Sequence, residues 1–406
     1  MITERNIMKN KKEPIIFDTT LREGFQTPGG IGASLEERVA IAGHIQNYAH
    51  WMELGMPANN VDYDIISAIR DRFLEEKYDV GVAVLLRCTD LDIDRASEVM
   101  ANYPKSMAHV FVGTSEQHRD TRFKGKLGVE GYEEMIFEYV KKAAERPEFK
   151  RVMFSPEDSF RTYMQDLGKR SRNRVFFRFL DAAKRGYEEG NRRVGRKTPI
   201  ILNLPDTTGG STVYEFDKVI RAAQKRYGDS VELSVHGHND SDTSSAQAWD
   251  VYQRRDVPWI HTTFSHLGER NGIAPTDLTI KVAAERGWLT DRRIVNPENL
   301  ALLDHTNRTV MALLGREIPD EHLYRTLVST AGIHTAIASI NPQTYHIRGS
   351  EYGSDPILEL GPTSGSKQVI DVLAANNIRY DADKMEAFTD QLKAQADALQ
   401  PDIDRL

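Results

Sequence analysis

Eight short apolar or β-branched runs recur along this chain, each separated from the next by room for a helix: IIFD (15–18), WMELG (51–55), VGVAVLL (80–86), AHVFVG (108–113), RVMFS (151–155), PIILNLPD (199–206), VELSVHGH (231–238) and WIHTTFS (259–265). The intervening stretches, such as SLEERVAIAGHIQNYA, GYEEMIFEYVKKAAE, NRVFFRFLDAAKRGYEE, STVYEFDKVIRAAQKRY and TDLTIKVAAERGW, carry apolar residues at helical spacing among many charges. Strand alternating with helix predicts a parallel sheet clothed by helices. Eight repeats within roughly 270 residues suit a closed (β/α)8 TIM barrel better than a doubly wound open sheet, and no G-x-G-x-x-G follows the first run. The fold class is therefore α/β: a polar tail over 1–13, a barrel over 14–290 and a C-terminal, mainly helical appendage over 291–406.

The appendage is marked by a change of rhythm. ENLALLDHTNRTVMALLG reads as a helix, Gly/Pro-interrupted segments follow, and DADKMEAFTDQLKAQADALQ closes the chain as an amphipathic stretch. Composition narrows the function classes. The 53 basic and 60 acidic residues give a net charge of −7 without a Lys/Arg cluster, which argues against a nucleic-acid partner. No apolar stretch approaches the roughly 20 residues needed to span a bilayer, and the N-terminal segment has no secretory apolar core. One cysteine, Cys88, sits in an apolar run and reads as a buried thiol in a reducing compartment, so cytoplasmic residence is expected.

In such a barrel chemistry gathers at the C-terminal ends of the strands. The first strand runs into Asp18, Arg22, Glu23 and Gln26; the sixth ends in Asn203, Asp206 and Thr207; the seventh ends in His236, His238, Asn239 and Asp240. His236 and His238 are two apart on an expected strand, so both imidazoles point to one face. Converging with a carboxylate, they form a site for a borderline divalent cation with positions open to substrate, where an isolated H-x-H pair would more often bond to core carbonyls. Arg22 and Glu23 could be a loop ion pair, but a guanidinium beside a metal ligand can also stabilise an oxyanion.

The stretches FDTTLREGFQTPGG, HGHND and GERNG together resemble the DRE-TIM metallolyase family, which contains the isopropylmalate, homocitrate and citramalate synthases and hydroxymethylglutaryl-CoA lyase. ELGMPA (53–58), FVGTSEQH (111–118), FSPEDSFR (154–161) and NLPDTTG (203–209) extend the likeness, which runs from about residue 14 to 380. The resemblance implies Glu23, His236 and His238 as metal ligands for Zn, Mn, Mg or Co. It implies Arg22 as the catalytic arginine, Glu157 as an acid near the reacting groups, and Thr207, Gln26 and Ser155 as residues of the 2-oxo acid pocket. His334, in GIHTA, matches a synthase histidine inserted by a partner subunit, which implies a homodimer.

The resemblance further implies a Claisen-type condensation of acetyl-CoA with a small 2-oxo acid, releasing CoA and a 2-hydroxy acid. The 2-oxo acid would chelate the metal, and a base, His334, Glu157 or an intervening water, would deprotonate the acetyl methyl group. A lyase would call for a cysteine-bearing loop after the eighth strand, yet no cysteine follows Cys88, and the GIHTA-type segment favours a synthase over retro-condensation. A sensory domain after position 390 is not expected. A non-catalytic oxo-acid sensor is the rival from another class.

Three positions depart from relatives: Ile273 stands where many have a metal-contacting Asn, and Met153 and Thr89 stand where homocitrate synthases have an arginine and a histidine of the 2-oxoglutarate pocket. Losing that arginine argues against 2-oxoglutarate.

Overall fold

The computed structural model describes residues 12–26, 32–122, 127–170, 174–316, 365–375 and 377–399, with short pieces at 328–329, 337, 341 and 357–358. Eight parallel strands close in chain order: β1 (Ile15–Asp18), β2 (Trp51–Glu53), β3 (Gly81–Arg87), β4 (Ser106–Gly113), β5 (Arg151–Glu157), β6 (Ile201–Asp206), β7 (Glu232–Gly237) and β8 (Trp259–Thr262). The ring closes where β8 pairs with β1, from Ile15 against Trp259 to Asp18 against Thr262, so the barrel leaves no open edge. Both faces of every strand are covered, which is why the strands read as apolar runs rather than as strict alternation.

Local signals set the helices. Ser34 and Thr212 form reciprocal capping boxes with Glu37 and Glu215 at the starts of Leu35–Ile45 and Val213–Tyr227. Thr89 caps Asp90–Val99, accepting from the Asp92 amide and donating to the Asp92 carboxylate. Helices Val129–Glu145 and Val175–Val194 pack backbone to backbone because the second carries glycines on its contact face. A Cβ at Gly186 would stand 2.3 Å from the Phe137 carbonyl oxygen, and one at Gly190 2.4 Å from that of Lys141.

The barrel interior is layered by the period of two along each strand. Phe17, Ala83, Met107, Met153, Ile201 and Trp259 form an apolar floor, with Ile15 and Trp51 packed against it. Two residues further along five of the strands stand Glu53, His109, Ser155, Asn203 and His261, all buried. An apolar floor therefore carries a polar layer. Met153 belongs to the floor and is fully buried, while Thr89 is a helix cap.

Chain compactness divides the protein into a unit of residues 1–295 and 309–316 and a second of 296–308 and 317–406. The stretch expected as one helix after residue 296 is two, Pro297–Ala301 and Leu303–Leu313. They part at Leu302, whose amide bonds to the carbonyls of Glu298 and Asn299 in a tightened turn. Ser366–Ala375 and Met385–Leu399 are further helices of the second unit, where Val328–Ser329 and Ile357–Leu358 pair in parallel. Among the described residues no helix is long and apolar enough to cross a membrane.

Candidate metal and active site

Glu23, His236 and His238 converge at the C-terminal mouth of the barrel, with one donor atom of each within 4.8 Å of the others. Glu23 opens a short 3-10 turn, Glu23–Gln26, just beyond β1. His236 lies on β7, and His238 follows the end of that strand in an antiparallel bridge to Ile273. The alternation expected from the sequence thus carries one residue past the strand. His236 Nε2 is 3.4 Å from His238 Nε2, which is 3.8 Å from Glu23 Oε1.

Burial, and then His238, push the His236 imidazole down to about 3; burial likewise lowers His238, so both rings are neutral and offer lone pairs. Burial alone would raise the Glu23 carboxyl, but the adjacent Arg22 guanidinium outweighs it and lowers the group. Metal bonds of about 2.1 Å at right or tetrahedral angles put donor atoms roughly 3.0–3.4 Å apart; the 3.4 Å between the imidazoles meets that spacing, and the 3.8 Å from His238 to Glu23 lies just beyond it. Two neutral imidazoles and a carboxylate facing one point have no better shared partner than a cation. The residues present fit the metal.

Arg22 is tied to the triad through Glu23. Its Nη1 bonds to Glu23, its Nε donates to Glu53 Oε2 at 2.6 Å, and its Nη2 makes no hydrogen bond among the described residues. Glu53 is fully buried, and its carboxyl is held well below the usual range because Arg22, then His109, outweigh the cost of burial. The donors then run in one direction. Asn203 Nδ2 donates to Ser155 Oγ at 2.7 Å, Ser155 is left to donate to His109 Nε2 at 2.6 Å, and His109 Nδ1 donates to Glu53 Oε1 at 2.5 Å. Asn203 Oδ1 is buried without a hydrogen-bond partner.

A family model described as HMGL-like matches residues 13–301, most of the chain. The chain belongs to the HMGL-like family.

Curated relatives of this HMGL-like chain include 2-isopropylmalate synthase 1 of Caldanaerobacter subterraneus subsp. tengcongensis, 30% identical over 87% of this chain and 83% of that protein. The 2-isopropylmalate synthase of Sediminispirochaeta smaragdinae is 27% identical over 94% of this chain and 72% of that one. Solved HMG-CoA lyases share the fold. The Bacillus subtilis enzyme aligns with a TM-score of 0.56 at 18% identity, over 77% of this chain and 97% of that one. A lyase from Acinetobacter baumannii, solved with coenzyme A and 3-methylmalate, gives 0.55 at 14% identity, over 76% of this chain and 93% of that chain.

The remaining expected residues of this HMGL-like site fall in distinct places. Ser155 lies in the polar layer. Thr207 accepts the Asp158 amide at its hydroxyl, 2.9 Å away, and its carbonyl accepts from Arg270, which also forks onto Asp240. Gln26 is exposed, its Oε1 3.4 Å from Arg22 Nη1. Glu157 ends β5 half-buried beside His118, whose Nδ1 is 3.2 Å from Asp158 and whose Nε2 is 3.6 Å from Glu157. His334 lies outside the described residues. Ile273 contributes no side-chain donor; it is fully buried and its carbonyl faces His266 Nδ1 at 2.8 Å.

Asn239 and Asp240 serve structure: the first accepts from the Ser244 amide and hydroxyl, the second holds Arg270. Glu53, His109 and His261 are functional residues that sequence reasoning missed. A signal was present, since each is a charged or titratable side chain two residues beyond a bulky apolar one on a barrel strand.

Proposed function

We propose that this chain is a metal-dependent acyltransferase of the 2.3.3 class that condenses acetyl-CoA with a small 2-oxo acid, releasing CoA and a 2-hydroxy acid. The carrying observation is the buried triad of Glu23, His236 and His238 at the barrel mouth with Arg22 tied to it through Glu23. Kinship with 2-isopropylmalate synthases over most of the chain supports the same reaction class.

Glu23, His236 and His238 hold the ion, with Zn, Co or Mn matched to a mixed nitrogen and oxygen donor set better than Mg. A divalent cation there supplies Lewis acidity toward the carboxylate and keto oxygens of the 2-oxo acid. Arg22, held in plane by Glu23 and Glu53, presents its remaining N–H groups to the oxygen on which charge develops. Thr207 and Gln26 bind the acid's carboxylate end, and Ser155, in the polar layer above the floor, lies beneath its side group. Glu157 or His334 takes the proton from the acetyl methyl group; the methyl carbon then bonds to the keto carbon, and water cleaves the thioester to release CoA. The protein works as a cytoplasmic homodimer, a reading supported by its single cysteine, Cys88, which is half-buried rather than fully buried as the apolar run suggested, and by the partner-inserted role that resemblance gives His334.

Free thiol measured with acetyl-CoA and a panel of 2-oxo acids tests this. Thiol should appear only when both a divalent cation and an accepted acid are present. Release that ignores a chelator would overturn the assignment.

A further inference from the structure

We infer that His261, on β8, is a positioning residue that fixes His236 in the tautomer a metal requires, through an imidazole–imidazole hydrogen bond beneath the ion. The inference rests on the assignment of Glu23, His236 and His238 as metal ligands.

His236 turns Nε2 toward His238, so Nε2 is its coordinating atom; its other nitrogen, Nδ1, lies 3.3 Å from Nδ1 of His261. One hydrogen fits between those two nitrogens. If His261 donated it, the His236 proton would sit on Nε2 and block coordination. His236 Nδ1–H must therefore donate and His261 Nδ1 accept, which puts the hydrogen of His261 on Nε2. That atom is buried and has no hydrogen-bond partner in the structure.

The His261 ring is held for this task. It stacks on Phe17 with centroids 4.2 Å apart and planes 17° from parallel, and it meets His109 edge-on at 5.8 Å. It is 1% exposed, so water does not compete for Nδ1. His238 has no equivalent support, since its Nδ1 is buried without a partner. Outer partners of this kind raise ligand basicity and fix ring orientation, and their loss costs about 10–100-fold in metal affinity.

Two substitutions separate this role from packing. His261→Asn places an amide oxygen near the position of Nδ1 but leaves a cavity, whereas His261→Phe keeps ring volume and stacking but has no acceptor. The full-length proteins, stripped with chelator, are titrated with Co2+ by absorbance and with Zn2+ against a fluorescent indicator. Thermal midpoints are recorded in chelator. The expected result is Asn within about threefold of wild type and Phe weaker by about 10–100-fold. The order of thermal stability should be the reverse.

Should the Phe variant not fold, His261→Leu carries the same comparison. Phe or Leu binding as tightly as wild type, or Asn falling as far as Phe, overturns the inference. Wild type taking up no stoichiometric metal, or His236→Ala keeping it, overturns the metal assignment as well. Uptake lost in His236→Ala but intact in His261→Phe overturns this inference alone.

Discussion

Glu53 Oε1 and His109 Nδ1 meet 2.5 Å apart in the barrel interior, and the other oxygen of the same carboxylate holds Arg22. Glu53 thus ties the arginine bonded to the candidate metal ligand Glu23 to a histidine, a serine and an asparagine in the polar layer.

Replacing Glu53 with Gln removes one of the two carboxylates that balance Arg22 and leaves Glu23 as its remaining partner. Breaking such a pair from one side costs about 3–5 kcal/mol. Urea denaturation of the variant should show that loss, and thiol release should fall with it. A change under about 1 kcal/mol would mean that Arg22 is balanced elsewhere.

Arg22→Lys keeps a positive charge but loses the planar fork that spans Glu23 and Glu53. If Arg22 stabilises developing charge, kcat should fall by about 10²–10³-fold with metal content intact. Loss of metal at unchanged kcat per bound ion would assign it to site assembly instead.

The loop after β8 depends on Gly272, whose φ is +69° and whose added Cβ would stand 1.6 Å from the His266 carbonyl oxygen. Gly195, at φ +75°, has nothing within 4 Å of the same position. Gly195→Ala should cost only the left-handed strain, about 1–2 kcal/mol. Gly272→Ala should cost clearly more and lower metal occupancy, because Ile273 next to it bridges to His238. Thermal melts of the two variants make the comparison.

The carboxylates of Asp158 and then Glu157, 3.2 and 3.6 Å from the ring nitrogens, raise the His118 imidazole to about 9. The folded group holds its proton more tightly than the unfolded one, whose pKa is about 6.5. Its stabilising contribution is therefore full below about pH 6.5 and lost as pH rises through about 9. The stability gap between wild type and His118→Gln should close across that window, as read by denaturation at a series of pH values. A gap that widens with pH would reverse the assigned sign.

The barrel was legible because its cause is local. Apolar runs such as VGVAVLL, and capping residues such as Ser34 and Thr212, record the strand and helix periods directly in the chain. His236 and His238 were legible for the same reason, being two residues apart where the strand alternation carries on one residue past its end. Glu53, His109 and His261 were not, because their meaning comes from strands far apart in sequence: Glu53 and His109 bond across 56 residues, and His236 and His261 across 25. Met153 illustrates the converse. Its position suggested a substrate contact, while the interior layering makes it part of the floor under Ser155.

Equilibrium dialysis joined to turnover on the same preparations tests the central claim most directly. Wild-type protein should hold one divalent ion per chain and release thiol from acetyl-CoA with an accepted 2-oxo acid. Glu23→Ala and His238→Ala should lose the ion and the turnover together. Full turnover in chelator-stripped protein, or an ion retained by both variants, would contradict the account.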